Sequence, residues 1–420
     1  MKTVLLRSAL LSGVLALSIA PFAHAFGAVN QPTVDKGVSY LTSLQVADGH
    51  VGNPGSDNDF SAIALSAVGK DLSTIKTAGG TSLRAYLAAN LPDATTGTAA
   101  DWGRTILAIT ADNQSPYIFG GIDSVAKLKS FASGGQLGGT TTTNEDYFGL
   151  IALVSAGLPS SDTVVANETT SIVSYQKADG GFSYTTSVSA TSDVDDTAAA
   201  IVALRAAQTA GNKSPAVKTA ITNAQSYIAK LKNVDGGYPS DPTFGTSSNV
   251  ASTSWALIGF NALGQGNSSD AKAAQKYIRS QQLANGSFPS SFAPNTGDFF
   301  DTDPAVTALA GSTWAVNVFE PVVNDIEEVL PTPTPTPIVA PAATTPTATP
   351  APAVTTGSVL GVTTAATQPT TPATSSVLGA STLPAVGEVS NLLLLGLAVV
   401  LAAAAGLAVR LRQIRIRNRD

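Results

Sequence analysis

A unit made of an amphipathic helix, a Gly-rich turn and a short apolar helix recurs six times between Val34 and about Phe319. Each unit has an apolar face that it cannot cover alone, so the complete array must be the folded object. The predicted starts of the apolar helices are 42 to 56 residues apart, a spacing typical of helix-pair repeats: Asp59, Asp101, Asp146, Asp196, Ser252 and Asp303. In the sixth unit Asp303 is followed by Pro304, a pair that favours a helix start.

The two kinds of helix make different demands on their surroundings. The amphipathic helices have one polar face and belong outside, whereas the Ala/Ile/Leu-rich helices have none and must be surrounded on all sides. An open solenoid would leave the apolar helices half exposed to water. We therefore predict an all-α domain over residues 26–327, with six helix pairs arranged as two closed concentric rings.

The turns carry a motif that resembles a known group of proteins. Gln45 to His50, Gln176 to Phe182 and Gln282 to Phe288 are similar to the Gln…Asp-Gly-x-aromatic repeats of terpenoid cyclases and protein prenyltransferases. The aromatic position holds Phe, Tyr or His here, where many cyclases have Trp. The resemblance implies an (α/α)6 toroid.

An acidic cluster opens the apolar helix of the fourth unit. Asp193-Val194-Asp195-Asp196-Thr197-Ala198 is similar to the Asp-x-Asp-Asp-Thr-Ala motif of class II terpene cyclases such as squalene–hopene cyclase. The resemblance implies that Asp195 protonates an alkene or epoxide, with Asp193 and Asp196 beside it. Adjacent carboxylates in a dry site raise one another's pKa, which suits such an acid.

A structural interpretation competes with the catalytic one. Asp196 lies where other repeats also place a helix cap, and acidic pairs recur at this repeat position, as Asp57 with Asp59 and as Asp301 with Asp303. A feature that several repeats share favours a structural role over a single catalytic acid. Calcium bound by these carboxylates is a third interpretation.

Four aromatic residues near the starts of the apolar helices form a second candidate site. These residues are Phe60, Trp102, Tyr147 and Trp255. The repeat predicts that they gather near one mouth of the ring, where they would clamp an apolar or glycan ligand. Core packing is the alternative. The toroid also resembles that of cobalamin carriers, which adds a corrinoid to the candidate ligands.

Composition excludes several kinds of chemistry. The chain has no cysteine and only two histidines, His24 and His50, and His24 lies in the segment interpreted below as a signal peptide. Thiolate catalysis and zinc–thiolate sites are therefore excluded, and so is the Asp/Cys/His zinc site that a protein prenyltransferase requires. A net charge of −6 gives no basic surface for nucleic acid. We predict no cofactor, no metal site and no nucleic-acid partner.

Both ends of the sequence indicate export and anchoring. Residues 1–25 have the basic, apolar and small-x-small regions of a signal peptide. Residues 328–390 are rich in Pro, Thr and Ala, a composition typical of a disordered stalk. Residues 391–409 are apolar and long enough for a transmembrane helix, and residues 410–420 form a basic tail predicted to be cytoplasmic.

A short element before the apolar segment resembles a sorting signal. Leu383, Pro384 and Gly387 belong to a Leu-Pro-x-x-Gly element like that of sortase-anchored surface proteins, with Val386 where that family has Thr. Cleavage by a sortase and retention by the membrane helix are both compatible with this pattern. Both place the folded domain on the extracellular face of the membrane or in the cell wall.

Taken together, these patterns predict a surface-displayed toroid that binds a small apolar, corrinoid or glycan ligand without catalysis. The alternative is an enzyme, either a class II terpene cyclase, which is an isomerase, acting through Asp195, or a glycan-active protein that uses paired carboxylates.

Overall fold

The computed structural model describes residues 29–55, 57–243, 245–291 and 296–320, and this part is mostly helical. It contains twelve α-helices in chain order. Six of them are amphipathic: α1 (Gln31–Ser43), α3 (Leu83–Ala89), α5 (Ser124–Lys129), α7 (Thr163–Ser174), α9 (Pro215–Lys230) and α11 (Ser269–Gln281). The six that alternate with them are apolar: α2 (Asn58–Ala67), α4 (Ala99–Ala111), α6 (Asn144–Ser155), α8 (Val194–Thr209), α10 (Val250–Ala262) and α12 (Phe299–Leu309).

The apolar helices form a closed inner ring. Each packs against the next one in the series α2, α4, α6, α8, α10 and α12, and α12 packs back against α2. Each amphipathic helix lies outside the ring against the preceding inner helix, so that α3 covers α2, α11 covers α10 and α1 covers α12. This arrangement of helix pairs is that of an α/α toroid.

Burial follows the sequence pattern of the two helix classes. Helix α8 buries most of its length, including every residue from Thr197 to Leu204. Helix α11 buries only one stripe, which consists of Ala271, Ala274, Tyr277 and Ile278. Removing apolar surface from water is the main stabilising term, and the inner ring provides most of it.

The Gln…Gly motif is a joint between consecutive repeats. The Gln176 side-chain amide donates to Gly180 O at 3.0 Å within its own turn and to Ala220 O of α9 at 2.7 Å. Gly180 has a φ of +93°, and a Cβ there would lie 2.8 Å from Asn223 O. Only glycine fits such a left-handed position pressed against another helix. The recurrent turn is therefore explained by assembly of the rings.

The same joint in the last repeat closes the outer ring. Gln282 donates to Gly286 O and to Thr33 O of α1, both at 2.9 Å. The first and last helix pairs are thereby linked without a covalent bond, and Asn30 adds a hydrogen bond to Leu309 O at 3.2 Å. Closure, which the sequence predicted from the apolar helices, is present.

All six predicted helix starts lie one to four residues after the observed first residue, and the difference is largest in α12. Helix α12 begins at Phe299 with Asp298 as its N-cap, so Asp303 and Pro304 lie inside the helix. Helix α2 begins at Asn58, one residue before the predicted Asp59. Three acidic residues, Asp298, Asp301 and Asp303, lie close together at the start of α12. Asp298 is the N-cap because its carboxylate accepts a hydrogen bond from the backbone N–H of Asp301 in the first turn.

Small non-helical elements connect the layers. Strands β1 (Ala132–Ser133) and β2 (Gln136–Leu137) pair antiparallel with Ala132 opposite Leu137, and β3 (Phe288–Pro289) pairs with β4 (Gly297–Asp298). A 3₁₀ turn spans Phe119–Gly121. These pieces are short, and the all-helical character of the domain holds.

The predicted end segments lie outside the described residues. This applies to the signal peptide at 1–25, the stalk at 328–390 with Leu383, Pro384 and Gly387, the membrane helix at 391–409 and the tail at 410–420. Within residues 29–320, apart from the gaps given above, no helix is both long and apolar enough to cross a bilayer.

Candidate functional site at the N-terminal mouth of the inner ring

The first turns of the inner helices meet at one end of the ring, which we call the N-terminal mouth. Side chains near the helix starts bond across neighbouring helices. Thr105 of α4 donates to Asp59 Oδ2 of α2 at 2.8 Å, and Ser61 of α2 donates to Asp303 Oδ2 of α12 at 2.9 Å. The inner helices therefore run parallel, and their N-termini face this end.

Asp193 is the N-cap of α8. Its carboxylate accepts from Asp196 N at 2.7 Å, and its own N–H donates to Phe182 O at 2.9 Å. Asn249 of α10 caps its helix in the same way, with Ser252 N as the donor at 2.8 Å. The prediction that Asp196 caps the helix is therefore wrong, because Asp193 three residues earlier has that role.

Asp195 lies in the first turn of α8 and turns toward α10. Its Oδ2 accepts from Ser240 Oγ at 2.9 Å, and Ser252 is a second hydrogen-bonding neighbour. Its Oδ1 is buried and has no hydrogen-bond partner in the described part of the chain. Burial raises the pKa of Asp195 to about 6, against the opposing effect of the two hydroxyl groups.

The two flanking carboxyl groups also titrate high. Burial, with a smaller contribution from repulsion by Asp195, raises the pKa of Asp196 to about 7, against the opposing effect of the hydrogen bond with Asp193. Burial and the negative charges of Asp196 and Asp195 hold the pKa of Asp193 well above its usual range. With pKa values raised in this way, one of the three carboxyl groups retains a proton near neutral pH.

The predicted aromatic set divides into two pairs. Phe60 of α2 and Trp255 of α10 both contact Phe148 of α6, with ring centroids 5.9 and 6.2 Å apart. These three residues come from alternate inner helices, so their rings meet at the centre of the toroid. Trp102 and Tyr147 are fully buried at 0% exposure instead. The expectation that all four gather at the mouth is wrong for these two.

Trp102 and Tyr147 point away from the centre of the ring because of their helix position. Each is the fourth residue after its N-cap, Thr98 or Thr143. The corresponding residue of α8 is Thr197, which accepts from Phe182 N in the turn of its own unit. The Tyr147 ring packs edge-on against Phe182 at 6.2 Å. Arg104 and Trp255, two positions further along their helices, face the centre, as does Phe60, the third residue after its N-cap.

The segment 312–319 after α12 fills the centre from the opposite end. Trp314 is 1% exposed and contacts Trp255 at 4.7 Å and Phe148 at 5.3 Å between ring centroids. The segment is fixed to the C-terminal ends of other inner helices, since Asn317 donates to Ala111 O and Phe319 N donates to Ser155 O. Sequence reasoning did not identify Trp314 and Phe148 as residues of the centre, because neither belongs to the repeated motif.

Two aromatic side chains are exposed at the mouth itself. Tyr184 is 41% exposed, and its pKa is raised by burial and by the nearby charges of Asp196 and Glu145, with Arg104 acting in the opposite direction. Phe300, in the first turn of α12, is 40% exposed. Arg104 is buried, forms an ion pair with Asp101 and lies 6.0 Å from the centre of the Phe60 ring.

The mouth therefore combines aromatic rings with many carboxyl groups and one buried cation. Two pockets of the described part lie elsewhere, on the outer layer beside α1 and α5, with volumes of about 270 and 280 Å³. Among the described residues, no group of three or more His, Asp or Glu side chains is arranged to hold a metal ion.

Comparison with known proteins identifies relatives of the fold. No family model matches the chain. A drimenyl diphosphate synthase from Streptomyces showdoensis is 31% identical over 156 residues, which span 36% of this chain and 27% of that protein. A solved polysaccharide lyase has a TM-score of 0.50 at 11% identity, with 67% of this chain and 97% of the lyase covered.

Two further solved structures are similar. The type II terpene cyclase MstE from Scytonema has a TM-score of 0.48 at 13% identity, with 67% of this chain and 97% of that chain covered. A glycosidase has a TM-score of 0.47 at 14% identity, with 69% and 98% covered. The resemblance of this chain to the terpenoid cyclase-like α/α-toroid superfamily is confirmed.

Proposed function

We propose that this protein is a cell-surface binding module whose N-terminal mouth takes a small apolar or glycan ligand without transforming it. The observation that carries the proposal is the filled centre of the ring. Phe60, Phe148, Trp255 and Trp314 occupy the space in which a toroidal enzyme would enclose a substrate. The mouth is then a shallow surface for binding.

The chemistry of the mouth suits a ligand with an apolar face and neutral polar groups. Tyr184 and Phe300 offer exposed rings for an apolar face, and the carboxyl groups around them accept hydrogen bonds from hydroxyl groups. A strongly anionic ligand would be repelled by the acidic residues. A glycan or a terpenoid alcohol meets these conditions, and a corrinoid stays a candidate.

A titration with chosen probes tests the proposal. A linear isoprenoid alcohol, a neutral oligosaccharide and a corrinoid are added separately to the detergent-purified full chain, and tryptophan fluorescence is recorded. Tyr184→Ala and Phe300→Ala should each weaken binding of the active probe about tenfold, the loss expected for one aromatic contact of about 1.4 kcal/mol. Ile118→Ala is the matched control, since Ile118 is 65% exposed near the opposite end of the ring.

The outcomes of this titration separate clearly. Saturable binding that both mouth variants weaken supports the proposal. Binding that only Ile118→Ala weakens, or no binding of any probe class, contradicts it.

A second function is favoured by one specific observation, the unpartnered Oδ1 of Asp195. This buried oxygen, on a carboxyl group with a pKa of about 6, is suited to deliver a proton to an alkene. In such a reaction the Asp195 O–H bond breaks, a C–H bond forms, and the final carbocation returns a proton to a base. The drimenyl diphosphate synthase relative points to the same cyclase-like chemistry.

The two functions are distinguished by one substitution. If the protein is a cyclase, it converts an alkene-bearing isoprenoid, and Asp195→Asn abolishes turnover while the Tyr184→Ala variant keeps part of it. If it is a binding module, no cyclised product forms with either protein, and Asp195→Asn still binds the probe. Product analysis by gas chromatography and mass spectrometry reads out both results.

Surface display belongs to the same proposal and rests on the sequence patterns at 1–25, 383–387 and 391–420. Mass spectrometry of the protein extracted from cells tests it. A chain that starts near Phe26 and is joined to wall material through the 383–386 segment supports sortase anchoring. An intact tail in the membrane fraction supports anchoring by the helix instead, and an uncleaved cytosolic chain contradicts display.

A further inference from the structure

Two acidic side chains meet in the protein interior, away from the aromatic rings at the centre of the toroid. Asp146 lies in the first turn of α6, and Glu168 lies midway along α7, the outer helix that covers α6. Both residues are 0% exposed. Their carboxyl groups are within hydrogen-bonding reach of each other. The fold thus places a carboxyl pair in the contact between an inner and an outer helix.

The available hydrogen-bond donors do not satisfy this pair. Leu137 N donates to Asp146 Oδ1 at 3.1 Å. The Tyr175 hydroxyl is a second hydrogen-bonding neighbour of Asp146, whereas both oxygens of Glu168 have no donor among the described residues outside the pair. Two ionised carboxylates in contact would repel each other and leave both buried Glu168 oxygens without a donor, which is costly. One proton held on Glu168 makes that carboxyl group a donor to Asp146, which removes the repulsion and pairs one of the two Glu168 oxygens.

We propose that Asp146 and Glu168 share one proton and thereby form a pH-sensitive latch that fastens outer helix α7 to inner helix α6. Burial, together with Asp146, raises the pKa of Glu168 to about 10, and burial raises that of Asp146 as well. The latch is closed while the shared proton is present. Its loss leaves two adjacent negative charges, and α7 with the β1–β2 hairpin is released.

The surrounding elements supply no buried cation to neutralise the pair. The charged and titratable groups on the elements packed against it are Glu145 and Tyr147 on α6, Tyr175 after α7, Asp101 and Arg104 on α4, Asp195, Asp196 and Arg205 on α8, and Lys218, Tyr227 and Lys230 on α9. Arg104 pairs with Asp101, and Arg205 donates to Ala262 O. Lys218 and Lys230 are exposed, and the Tyr175 hydroxyl accepts from Gln136 and is a neutral hydrogen-bonding neighbour of Asp146.

Glu168→Gln tests the latch in the full-length protein. The amide donates a hydrogen bond to Asp146 at every pH, so no proton needs to be bound. The denaturant midpoint of each protein is measured from pH 5 to pH 9, and the unfolding constant is plotted against pH. For the wild type, the shared proton makes the unfolding constant rise by one further factor of about ten per pH unit, because only the folded state keeps that proton. The variant should lose this factor.

Glu145→Gln is the matched control, because it removes a carboxylate from the same helix turn without touching the shared proton. Its carboxylate accepts from Gly139 N at 2.6 Å. The control should retain the wild-type slope. An unchanged slope in Glu168→Gln, or an equal change in the control, overturns the proposal.

A second measurement does not depend on the variant's folding. Amide exchange of Leu137 and of α7 in the wild type should rise about tenfold per pH unit beyond the intrinsic base-catalysed rate. Amides of α9, which also lies in the outer layer, provide the internal reference. Exchange of Leu137 and α7 that follows only the intrinsic rate overturns the latch even if Glu168→Gln does not fold.

Discussion

The Ser61 hydroxyl donates a hydrogen bond of 2.9 Å to Asp303 Oδ2 and so joins the first and last inner helices, 242 residues apart in sequence. Asp303 is 2% exposed, and its Oδ1 has no partner in the described part of the chain. Burial holds the pKa of Asp303 well above its usual range and so favours the neutral acid. The seam of the ring therefore depends on a neutral acid and one hydroxyl.

Ser61→Ala should weaken this seam. The substitution leaves both Asp303 oxygens without a donor, and an unsatisfied buried polar group costs ~1–3 kcal/mol of unfolding free energy. Urea denaturation measures the loss. Ser39→Ala is the control, because its hydroxyl bonds only to Asp35 O on the surface of α1, and it should stay within about 0.5 kcal/mol of the wild type. Equal effects of the two substitutions would show that the seam bond carries no special weight.

Gly180→Ala tests the joint between repeats. The alanine must adopt a left-handed φ of +93° and place its Cβ 2.8 Å from Asn223 O, so α9 has to move. Gly264→Ala is the matched control, with a φ of +70° and open space around the added atom. The control should cost ~1–2 kcal/mol from backbone strain alone. Gly180→Ala should cost clearly more in thermal unfolding, and a smaller loss than the control would refute the joint.

The sequence predicted the closed helix pairs because periodicity and composition are local signals that survive in every repeat. The wholly apolar run from Thr197 to Leu204 requires burial on all sides, and the structure provides it. Helix register was harder, since Asp298 and Asp303 are both capping residue types and only the backbone bond to Asp301 N distinguishes them.

The composition of the centre was not accessible from the sequence. Trp314 follows the last helix and lies in no repeat, so its contact with Trp255 depends on tertiary packing alone. Glu168 belongs to an amphipathic outer helix, where an acidic residue normally indicates the solvent face. Its burial against Asp146 contradicts that pattern. Sequence-based reasoning fails at residues that depart from the local pattern in this way, and such residues are candidates for a functional role.

Asp59→Asn should change how stability depends on pH. Burial raises the pKa of Asp59 to about 7, from an unfolded value near 3.8. Between these values the folded state holds a proton that the unfolded state has lost, so stability falls as pH rises, by ~1.4 kcal/mol per pH unit for one group. Asparagine keeps the Thr105 hydrogen bond and binds no proton. The variant should lose one such slope contribution between pH 4.5 and about 7.

Asp93→Asn is the control with the opposite sign. Backbone hydrogen bonds from Thr95 and Thr96 lower the pKa of Asp93. Its contribution is present above the unfolded pKa and is lost as pH falls through the folded pKa, so its charge state does not change between pH 5 and 7. Denaturant midpoints of the control should therefore parallel the wild type in that window. A parallel curve for Asp59→Asn as well would mean that Asp59 is ionised in the folded protein.

Trp314→Ala should empty the centre of the toroid. The indole is packed against Trp255 and Phe148, and removal of a buried Trp costs ~3–5 kcal/mol, since the closed ring of helices collapses only partly into the space. An apolar void of this kind stays dry and takes up a small apolar molecule. Benzene should therefore raise the melting temperature of the variant and leave that of the wild type unchanged, because a ligand stabilises the state that binds it. Val318→Ala, on the same segment and 50% exposed, should neither destabilise the protein by more than about 0.5 kcal/mol nor create benzene binding. If Trp314→Ala behaves like Val318→Ala in both measurements, the aromatic centre is not the element around which the inner ring closes. A ligand could then enter the interior of the ring, which a filled centre would prevent.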